Sequence, residues 1–442
     1  MDLLRGVIGM AVLILLAVAF SKDRKAINWR LVGTGLGIQF ILAIFILKGA
    51  EMETWFAPLG WPKDFFSWIA SFFVVVLDFT TAGARFIFGD LALSPGMEDS
   101  LGNFFAFQVL PTIVFFASLT TIFYHYGILQ WVVKYISIGM QKLMGTSGAE
   151  SLSVISNIFV GQTEAPLMIK PYVKNLTQSE LLAVMTGGMA TIAGGVMAAY
   201  VQLLGNSYAI AQGVDLDVGR LMFAEQLLGA SLMAAPAALV IAKILYPETE
   251  QPKTMGDVKI EVEQEDANGI DAAANGAGLG LKLALNVGAM LLAFIALLEM
   301  GNYFLFHFGE WTYINEILED DLKIETVLGW LFSPLAFIMG IPWEDALDVG
   351  ALLGTKIVLN EFVAYTQFSE AISEGLLTDK TIFMTTFALC GFANFASIAI
   401  QIGGIGGIAP ERKSDLARFG ITAVVAGTMA NMMTATIAGM LL

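Results

Sequence analysis

The sequence reads VGQTEAPL at residues 160–167 and VLNEFVA at residues 358–364. Each stretch sets one glutamate and one amide side chain inside apolar sequence, where an ionisable group is costly and is usually functional. The regions around them, 149–170 and 327–365, are interrupted by glycine and proline. We therefore expect two re-entrant helical hairpins rather than two simple membrane spans.

The sequence that follows each stretch is also similar. Leu176-Thr177 and Leu377-Thr378 each open a helix rich in small and polar residues, and Thr177 with Glu180 has the pattern of a capping box. The first hairpin is expected to enter from the inside and the second from the outside, which is the inverted-repeat plan of secondary transporters. The match is short, and the alternative is chance repetition in glycine-rich apolar sequence.

The composition of the chain excludes a water-soluble globule. Of the 442 residues, 57% are hydrophobic and only 14% are charged, whereas soluble proteins carry about a quarter charged residues. One cysteine and two histidines exclude a disulfide framework, a Cys/His zinc site and the usual haem or iron–sulfur ligands. The chain also lacks a G-x-x-x-x-G-K-[ST] phosphate loop. The sequence therefore predicts an all-α polytopic membrane protein whose transport is passive or ion-coupled.

Eight stretches are apolar enough to cross the bilayer, which takes about 20 residues. The predicted spans are 4–21, 31–48, 102–124, 180–203, 222–246, 279–305, 381–408 and 417–441. Residues 62–92 mix aromatic and charged side chains, so we expect an amphipathic helix lying at the interface. Four basic residues follow the first span within 22–30 and only Arg5 precedes it, which favours an uncleaved anchor over a signal peptide. Both termini are then outside.

The charge distribution supports this topology, because inside loops carry the excess of lysine and arginine. Of the 23 basic residues, fifteen fall in proposed inside segments, seven fall outside, and Lys356 is left at membrane depth. Acidic residues dominate two stretches: 248–271 has eight acids and two lysines, and 310–325 has six acids and one lysine. The net charge of −16 argues against a nucleic-acid partner. We interpret 248–271 as a solvated cytoplasmic loop.

Glu164 and Glu361 are the first candidates for a binding site. Neutral donors and acceptors accompany them, a mixture that suits a substrate rich in hydroxyls and ring nitrogens better than a bare ion. These neutral residues are Gln162, Thr163, Asn360, Asn394 and Ser397. Lys356 is the only basic residue nearby, so the sequence favours a neutral polyol such as a sugar ring over an anion. The alternative is that the two glutamates only bind the loose ends of the hairpins.

Residues 186–196 (TGGMATIAGGV) are too rich in glycine for a plain spanning helix. Such stretches unwind, and their freed carbonyls can coordinate a cation, for which Asn157 and Thr191 would supply hard oxygen ligands. Tight packing of small residues explains the glycines equally well. Phe392, two residues before Asn394, could stack on a flat ring, or it could face lipid like other phenylalanines.

Three stretches resemble the signature sequences of the concentrative nucleoside transporter family, in the same order and spacing. They are GQTEAPL at 161–167, NEFVAY at 360–365 and GFANFASI at 391–398. The resemblance covers essentially the whole chain. It implies a homotrimer in which a transport domain moves elevator-fashion against a scaffold. It also implies a secondary-active symporter of the cell (inner) membrane that imports nucleosides with sodium and is not an enzyme.

The resemblance also implies roles for individual residues. Gln162, Thr163 and Glu164 would face the nucleobase together with Val196 and Phe392. Glu361, Asn394 and Ser397 would hold the ribose hydroxyls. The sodium site would consist of the side chains of Asn157 and Thr191 and the carbonyls of Val160 and Ile192. A serine is also known in the family where this chain has Thr191, and the hydroxyl is kept.

The family's architecture divides the chain into five parts. The expected parts are scaffold helices with the interfacial helix (1–148), a first transport repeat (149–247), an acidic cytoplasmic loop (248–275), a long scaffold helix (276–308) and a second transport repeat (309–442). Expected substrates are uridine-like pyrimidine nucleosides, with adenosine as a further candidate. The alternatives left open are proton coupling, a channel, and a membrane-embedded hydrolase that uses two carboxylates.

The predicted topology can be tested by cysteine labelling. In a Cys390→Ala background, Asn315→Cys should react with an impermeant maleimide on intact cells, because 310–325 is predicted outside. Gln264→Cys should react only after permeabilisation, because 248–271 is predicted inside. Labelling of both variants from the same side would contradict the topology and the opposite orientation of the hairpins.

Overall fold

The computed structural model describes residues 2–255, 266–318 and 321–442. Within these ranges every regular element is helical and no β-strand occurs. The prediction of an all-α fold is therefore confirmed for the described part of the chain.

The α-helices are numbered here in chain order. They are α1 (Asp2–Ala19), α2 (Trp29–Leu47), α3 (Gly49–Glu53), α4 (Trp61–Phe88), α5 (Phe105–Gln108), α6 (Leu110–His125), α7 (Ile128–Met144), α8 (Gly148–Ser156), α9 (Lys170–Val173), α10 (Gln178–Ala190), α11 (Gly194–Gln212), α12 (Leu216–Leu245), α13 (Gly269–Thr312), α14 (Ile314–Leu318), α15 (Ile324–Met339), α16 (Ala346–Val358), α17 (Glu361–Ser373), α18 (Asp379–Leu389), α19 (Phe395–Ile408) and α20 (Lys413–Leu441). Short 3-10 helices form at Arg24–Ala26, Ala57–Leu59, Gly89–Ala92, Ala165–Ile169 and Pro410–Arg412. Helix α7 lies outside every predicted span and hairpin.

Seven helical stretches of the described residues are long and apolar enough to cross a membrane. They are Trp29–Leu47, Trp61–Ala92, Phe105–His125, Gln178–Gln212, Leu216–Leu245, Gly269–Thr312 and Pro410–Leu441. Six of them coincide with predicted spans. Trp61–Ala92 is the helix predicted to lie at the interface, and that placement stays a prediction. The first predicted span, 4–21, corresponds to the shorter apolar helix Leu3–Ala19.

The predicted span 180–203 is divided by a break. Helix α10 ends at Ala190 and α11 begins at Gly194. The glycine-rich sequence is therefore interrupted, as expected. Ile192 lies in the break, and its backbone N–H donates to Ser231 Oγ on α12, 3.4 Å away.

The predicted continuous span 381–408 is wrong, because α18 ends at Leu389 and α19 begins only at Phe395. Gly391 lies in this second break with a φ of +116°, a conformation that other residues rarely adopt. A Cβ on Gly391 would lie 2.6 Å from the carbonyl oxygen of Ala190. The two breaks therefore touch, and only glycine allows so close an approach.

The first glutamate stretch joins two short helical arms. Helix α8 ends at Ser156, and after an irregular turn the chain continues through the 3-10 helix Ala165–Ile169 and α9. Pro166 lies at the start of the second arm, where a backbone N–H would lack a helical partner in any case. The two arms together cover residues 148–173, close to the predicted hairpin range 149–170.

The second glutamate stretch joins α16 to α17, which are separated only by Leu359 and Asn360. Asp345, just before α16, accepts hydrogen bonds from the hydroxyls of Thr378 (3.1 Å) and Thr381 (2.5 Å), which follow α17. The two ends of this segment therefore meet. The predicted bounds 327–365 are wrong, because α15 is a separate helix packed on α16 and the second arm continues to the end of α17.

Threonine caps begin the helices that follow the two glutamate segments. Thr177 Oγ1 accepts from the Glu180 N–H (3.0 Å), and the Glu180 carboxylate accepts from the Thr177 N–H (2.8 Å), so the predicted capping box is confirmed. Thr378 Oγ1 likewise accepts from the Thr381 N–H, 3.3 Å away. The paired Leu-Thr sequences thus mark two true helix starts.

The long helix α13 exceeds its predicted range, 276–308, at both ends. Residues 269–275 are therefore helical rather than part of the predicted loop 248–275, and 256–265 of that loop lie outside the described residues. Gly276 and Gly280 allow α13 to approach α6: added Cβ atoms would lie 2.7 and 2.8 Å from the Cα atoms of Ser118 and Val114. Small residues four apart commonly permit such close packing in membranes.

Burial separates an interior group of helices from a peripheral group. In α12, 89% of the candidate span is buried, and in α20 the share is 83%. In α13 only 22% is buried, and in the α5–α6 stretch only 28%. Helices α10, α11, α12 and α20 thus form the interior, which contains the first break between α10 and α11.

A buried ion pair ties α12 to the start of α8. Lys243 Nζ lies 2.8 Å from Glu150 Oε2, and the two side chains are only 6% and 2% exposed. Lys243 also donates to Ser179 Oγ at 2.9 Å, next to the capping box of α10. The pair therefore fixes the first glutamate segment against α10 and α12.

Lys243→Met should destabilise the protein strongly, because it leaves Glu150 buried without its partner, at a cost of about 3–5 kcal/mol. The thermal unfolding midpoint in detergent should fall clearly. The control is Lys48→Met, which breaks the exposed Lys48–Glu51 pair and should cost at most about 1 kcal/mol. Equal midpoints for the two variants would contradict the structural role of Lys243.

Candidate functional site

Glu361 is buried at the first residue of α17, with 5% of its surface exposed. Its Oε2 accepts from Asn394 Nδ2 at 2.8 Å, and its Oε1 accepts from the Tyr200 hydroxyl at 3.2 Å. Asn360 caps the same helix by accepting from the Val363 N–H. The carboxylate is thus held by neutral donors from α11 and from the second break.

Asn394 and Ser397 extend this network along α19. Asn394 is the N-cap of α19, because its Oδ1 accepts from the Ser397 N–H at 2.8 Å. Ser397 Oγ in turn accepts from Gln162 Nε2 at 3.0 Å. The structure therefore brings Gln162, Glu361, Asn394 and Ser397 into one chain of hydrogen bonds, although Gln162 and Glu361 belong to different glutamate stretches.

Thr163 and Glu164 lie apart from that network. Glu164 is exposed, and its Oε1 accepts from the Thr163 hydroxyl at 2.9 Å. Glu164 lines a cleft of about 790 Å³ between α6, α13 and the arms of the first glutamate stretch. The cleft wall also contains His125, Lys170 and Lys282. Of the two candidate carboxylates, one is therefore enclosed and the other faces an open cleft.

The two apolar candidates lie at the two helix breaks. Val196 is buried in the first turn of α11, just after the first break. Phe392 lies within the second break, between Cys390 and Asn394, and is half-buried against the core. Both are close in sequence to polar residues of the network, and neither is a freely exposed surface residue.

The candidate cation ligands gather around the first break. Asn157 is the C-cap of α8, and its Nδ2 donates to the Ser153 carbonyl at 2.9 Å. Its Oδ1 is therefore the side-chain atom that can bind a cation. A Cβ on Gly188 would lie 3.6 Å from Asn157 Oδ1, so the last turn of α10 is adjacent. Thr191 Oγ1 donates to the Gly187 carbonyl at 2.9 Å and keeps its lone pairs for a further partner. This set of hard oxygens fits a small monovalent cation such as sodium.

Three family models match the chain. The Na⁺ dependent nucleoside transporter N-terminus matches residues 8–91, the nucleoside recognition model matches 106–207, and the Na⁺ dependent nucleoside transporter C-terminus matches 226–439. Together they include both glutamate stretches and leave out only residues 1–7, 92–105, 208–225 and 440–442, so the match extends over most of the chain.

The bacterial relatives match over nearly their whole length. The nucleoside permease NupC of Helicobacter pylori is 41% identical, over 98% of this chain and 96% of its own. The chain belongs to the concentrative nucleoside transporter family. YutK of Bacillus subtilis, an uncharacterized transporter, is 43% identical over the full length of both chains. The mouse sodium/nucleoside cotransporter 1 is 39% identical over 98% of this chain, which spans 63% of the mouse protein.

Solved structures of the same family show the same fold. CNTnw in an inward-facing substrate-bound state has a TM-score of 0.86 and 43% identity, and the match covers 100% of this chain and 98% of that chain. A CNTnw variant in an outward-facing state gives 0.87, with the same identity and coverage. As a member of the concentrative nucleoside transporter family, the chain is thus a multi-pass membrane protein.

Sequence reasoning missed two residues of this transporter's polar network. Tyr200 donates to Glu361, and Gln401 Nε2 donates to both Gln162 Oε1 and the Met185 carbonyl, each at 3.0 Å. Helical spacing could have found them, since Tyr200 is four residues after Val196 and Gln401 is four residues after Ser397. Residues four apart share one face of a helix, so each lies next to a candidate already chosen.

Proposed function

We propose that this transporter is a sodium-coupled symporter that imports nucleosides, with uridine-like pyrimidines as the first candidates and adenosine as a further one. The observation that carries the proposal is the buried network of Gln162, Glu361, Asn394 and Ser397. It offers one carboxylate and several neutral donors and acceptors within a family of nucleoside transporters.

The carboxylate end of the network suits the ribose. Glu361 can accept two hydroxyl donors through its two oxygens, and Asn394 and Ser397 lie beside it to complete the recognition of neighbouring hydroxyls. In the structure these groups satisfy one another, so a bound ribose would replace internal hydrogen bonds by equivalent ones. Exchange of this kind avoids leaving a buried polar group unpaired.

The amide end of the network suits the nucleobase. The Gln162 amide has both a donor and an acceptor, which match the alternating groups on the edge of a pyrimidine. Glu164 lines the adjoining cleft, and Thr163 donates a hydrogen bond to it, so both would contact the base as it enters or leaves. Val196 and Phe392 flank the breaks and would supply apolar surface for the ring.

Sodium is the coupling ion in this proposal. Asn157 and Thr191 provide two side-chain oxygens beside the first break, and Val160 and Ile192 would add their carbonyls. No strongly basic residue belongs to this group, so the carbonyl ends of α8 and α10 are left for a cation. Proton coupling is the alternative, with exposed Glu164 as the carrier.

The proposed architecture is a homotrimer with the five parts predicted from the sequence, in which the acidic loop ends before α13, the long scaffold helix is Gly269–Thr312, and the second transport repeat follows it. Eight crossings, two re-entrant hairpins and an inverted repeat would place both termini outside the inner membrane. Relatives solved in inward-facing, intermediate and outward-facing states support an elevator motion of the transport repeats. The peripheral helices α6 and α13 are the natural scaffold, since they pack closely on each other.

The two rival functions are less well supported. A two-carboxylate hydrolase needs its acid and base on either side of one substrate bond, but Glu361 is enclosed while Glu164 faces the open cleft. A channel needs one continuous path, whereas relatives of this chain have been solved facing each side in turn. Both observations favour alternating access.

Glu361→Gln should weaken uridine binding roughly ten- to a hundredfold, because a charge-assisted hydrogen bond is worth about 1.5–3 kcal/mol. The loss should be smaller for 2′,3′-dideoxyuridine, which lacks the hydroxyls concerned. Binding is measured by calorimetry on the purified protein. The control is Glu370→Gln, an exposed position on the same helix. Uridine affinity within twofold of the unmodified protein in Glu361→Gln would rule out the ribose assignment.

Asn157→Leu should abolish the stimulation of uptake by sodium, because an alkyl group of similar size replaces an oxygen ligand. The protein should remain folded and trimeric by size-exclusion chromatography. Asn175→Leu is the control, since Asn175 is exposed and precedes α10, at the opposite end of that helix from the break. Normal sodium stimulation in Asn157→Leu would show that the ion binds elsewhere.

A further inference from the structure

A buried lysine lies in the second half of the chain, outside the proposed substrate and sodium sites. Lys356 is in the last turn of α16 and is fully buried. Its Nζ donates to the carbonyls of Ala388 (3.0 Å) and Cys390 (3.4 Å) and to Asn431 Oδ1 (2.9 Å). Three acceptors match the three N–H groups of an ammonium. None of these partners is a carboxylate, so the charge is stabilised by dipoles rather than by an ion pair.

The two backbone carbonyls that hold Lys356 lie at the end of a helix. Ala388 and Cys390 flank Leu389, the last residue of α18, and α16 itself ends at Val358, two residues after the lysine. The C-terminus of a helix carries partial negative charge and carbonyls without helical partners. The C-terminal ends of α16 and α18 meet at the second break, and the Lys356 ammonium lies between them.

The first half of the chain has the same arrangement without a lysine. Helix α8 ends at Ser156 and α10 ends at Ala190, beside the first break. The Phe159 carbonyl accepts from the Gly194 N–H at 3.2 Å, so the turn after α8 touches the start of α11. The residue at the end of α8 is the uncharged Asn157. This is the place where the proposed function puts sodium.

Asn431 joins the two places. Its Oδ1 accepts from Lys356, and its Nδ2 donates to the carbonyl of Ala190 at 2.7 Å. Ala190 is the last residue of α10 and also touches Gly391 in the second break. The buried Asn431 side chain of α20 therefore hydrogen-bonds both to the backbone at the first break and to the ammonium at the second break.

We infer that the Lys356 ammonium is a tethered cation, which takes in the second half of the chain the place that the coupling sodium takes in the first half. This inference rests on the proposed function. Lys356 acts as a positioning residue, because it fixes the α18–α19 break and with it Asn394. The ammonium stays fixed at the second break, and only the sodium at the first break is exchanged. Each nucleoside is then transported with one sodium ion rather than two.

Two substitutions separate a tethered cation from a merely structural lysine. Lys356→Ala leaves the three oxygens and an open space, which sodium and water can occupy. Lys356→Met fills the space with an uncharged chain of similar size. A structural role favours methionine, because alanine leaves a cavity. A tethered cation favours alanine at high sodium, because only that variant has room for a replacement ion.

The experiment measures labelled uridine uptake in proteoliposomes and the sodium-dependent rise of the unfolding temperature of the purified protein. The unmodified protein should show a Hill coefficient for sodium of about 1. Lys356→Ala should be inactive at low sodium and recover at high sodium with a Hill coefficient near 2, whereas Lys356→Met should stay inactive. Thr355→Val, at the buried neighbouring position, should keep the unmodified sodium curve.

Several outcomes would overturn the inference. If Lys356→Met is as active as the unmodified protein, no cation is needed at the second break. The same conclusion follows if Lys356→Ala recovers with an unchanged Hill coefficient. Reversal potentials of the unmodified protein give the charge moved per uridine, and this measurement does not depend on the folding of a variant. One charge per uridine supports the inference, and two charges contradict it. An unmodified protein that ignores sodium would refute the proposed function, whereas the variant results refute the tethered cation alone.

Discussion

The structure depends on how two broken helices satisfy their backbone groups where water is scarce. A lipid-embedded helix break is tolerated only if protein groups replace the lost hydrogen bonds. Here Gly391 brings the second break against Ala190 at the first, Asn431 binds the Ala190 carbonyl, and Asn394 caps α19. The first break is thus stabilised by Asn431 from the second half of the chain, and the second break packs directly against the first.

The same groups make the candidate site. Asn394 caps α19 through its oxygen and binds Glu361 through its nitrogen, so one side chain both ends the break and positions the buried carboxylate. Gln162 reaches from the first glutamate stretch to Ser397 and closes the network. In the proposed function the same polar atoms serve folding and binding, so substrate binding would act directly on the elements that hold the two halves together. Such coupling is what a protein that alternates between two states requires.

The sequence allowed prediction of the all-α fold, the Thr177 capping box and the interruption of α10–α11, because each has a strong local signal. Hydropathy averaged over 381–408 does not show the second break, because the helices on both sides of the break are apolar. Only Gly391 and Asn394 indicate the break in the sequence. The bounds of the second segment were wrong because Gly340 and Pro342 separate α15 from α16 rather than interrupting one arm. Asn431, which binds both Lys356 and the Ala190 carbonyl, depends on contacts between distant parts of the chain, which no single-sequence pattern specifies.

Uridine accumulation in proteoliposomes of the purified protein is the decisive test of sodium-coupled nucleoside import. With an inward sodium gradient at equal pH, the account predicts uridine above its equilibrium distribution, and reversal of the sodium gradient should drive uridine out. A pH gradient without sodium should produce no accumulation. Accumulation that follows the pH gradient and ignores sodium would contradict sodium coupling at the first break.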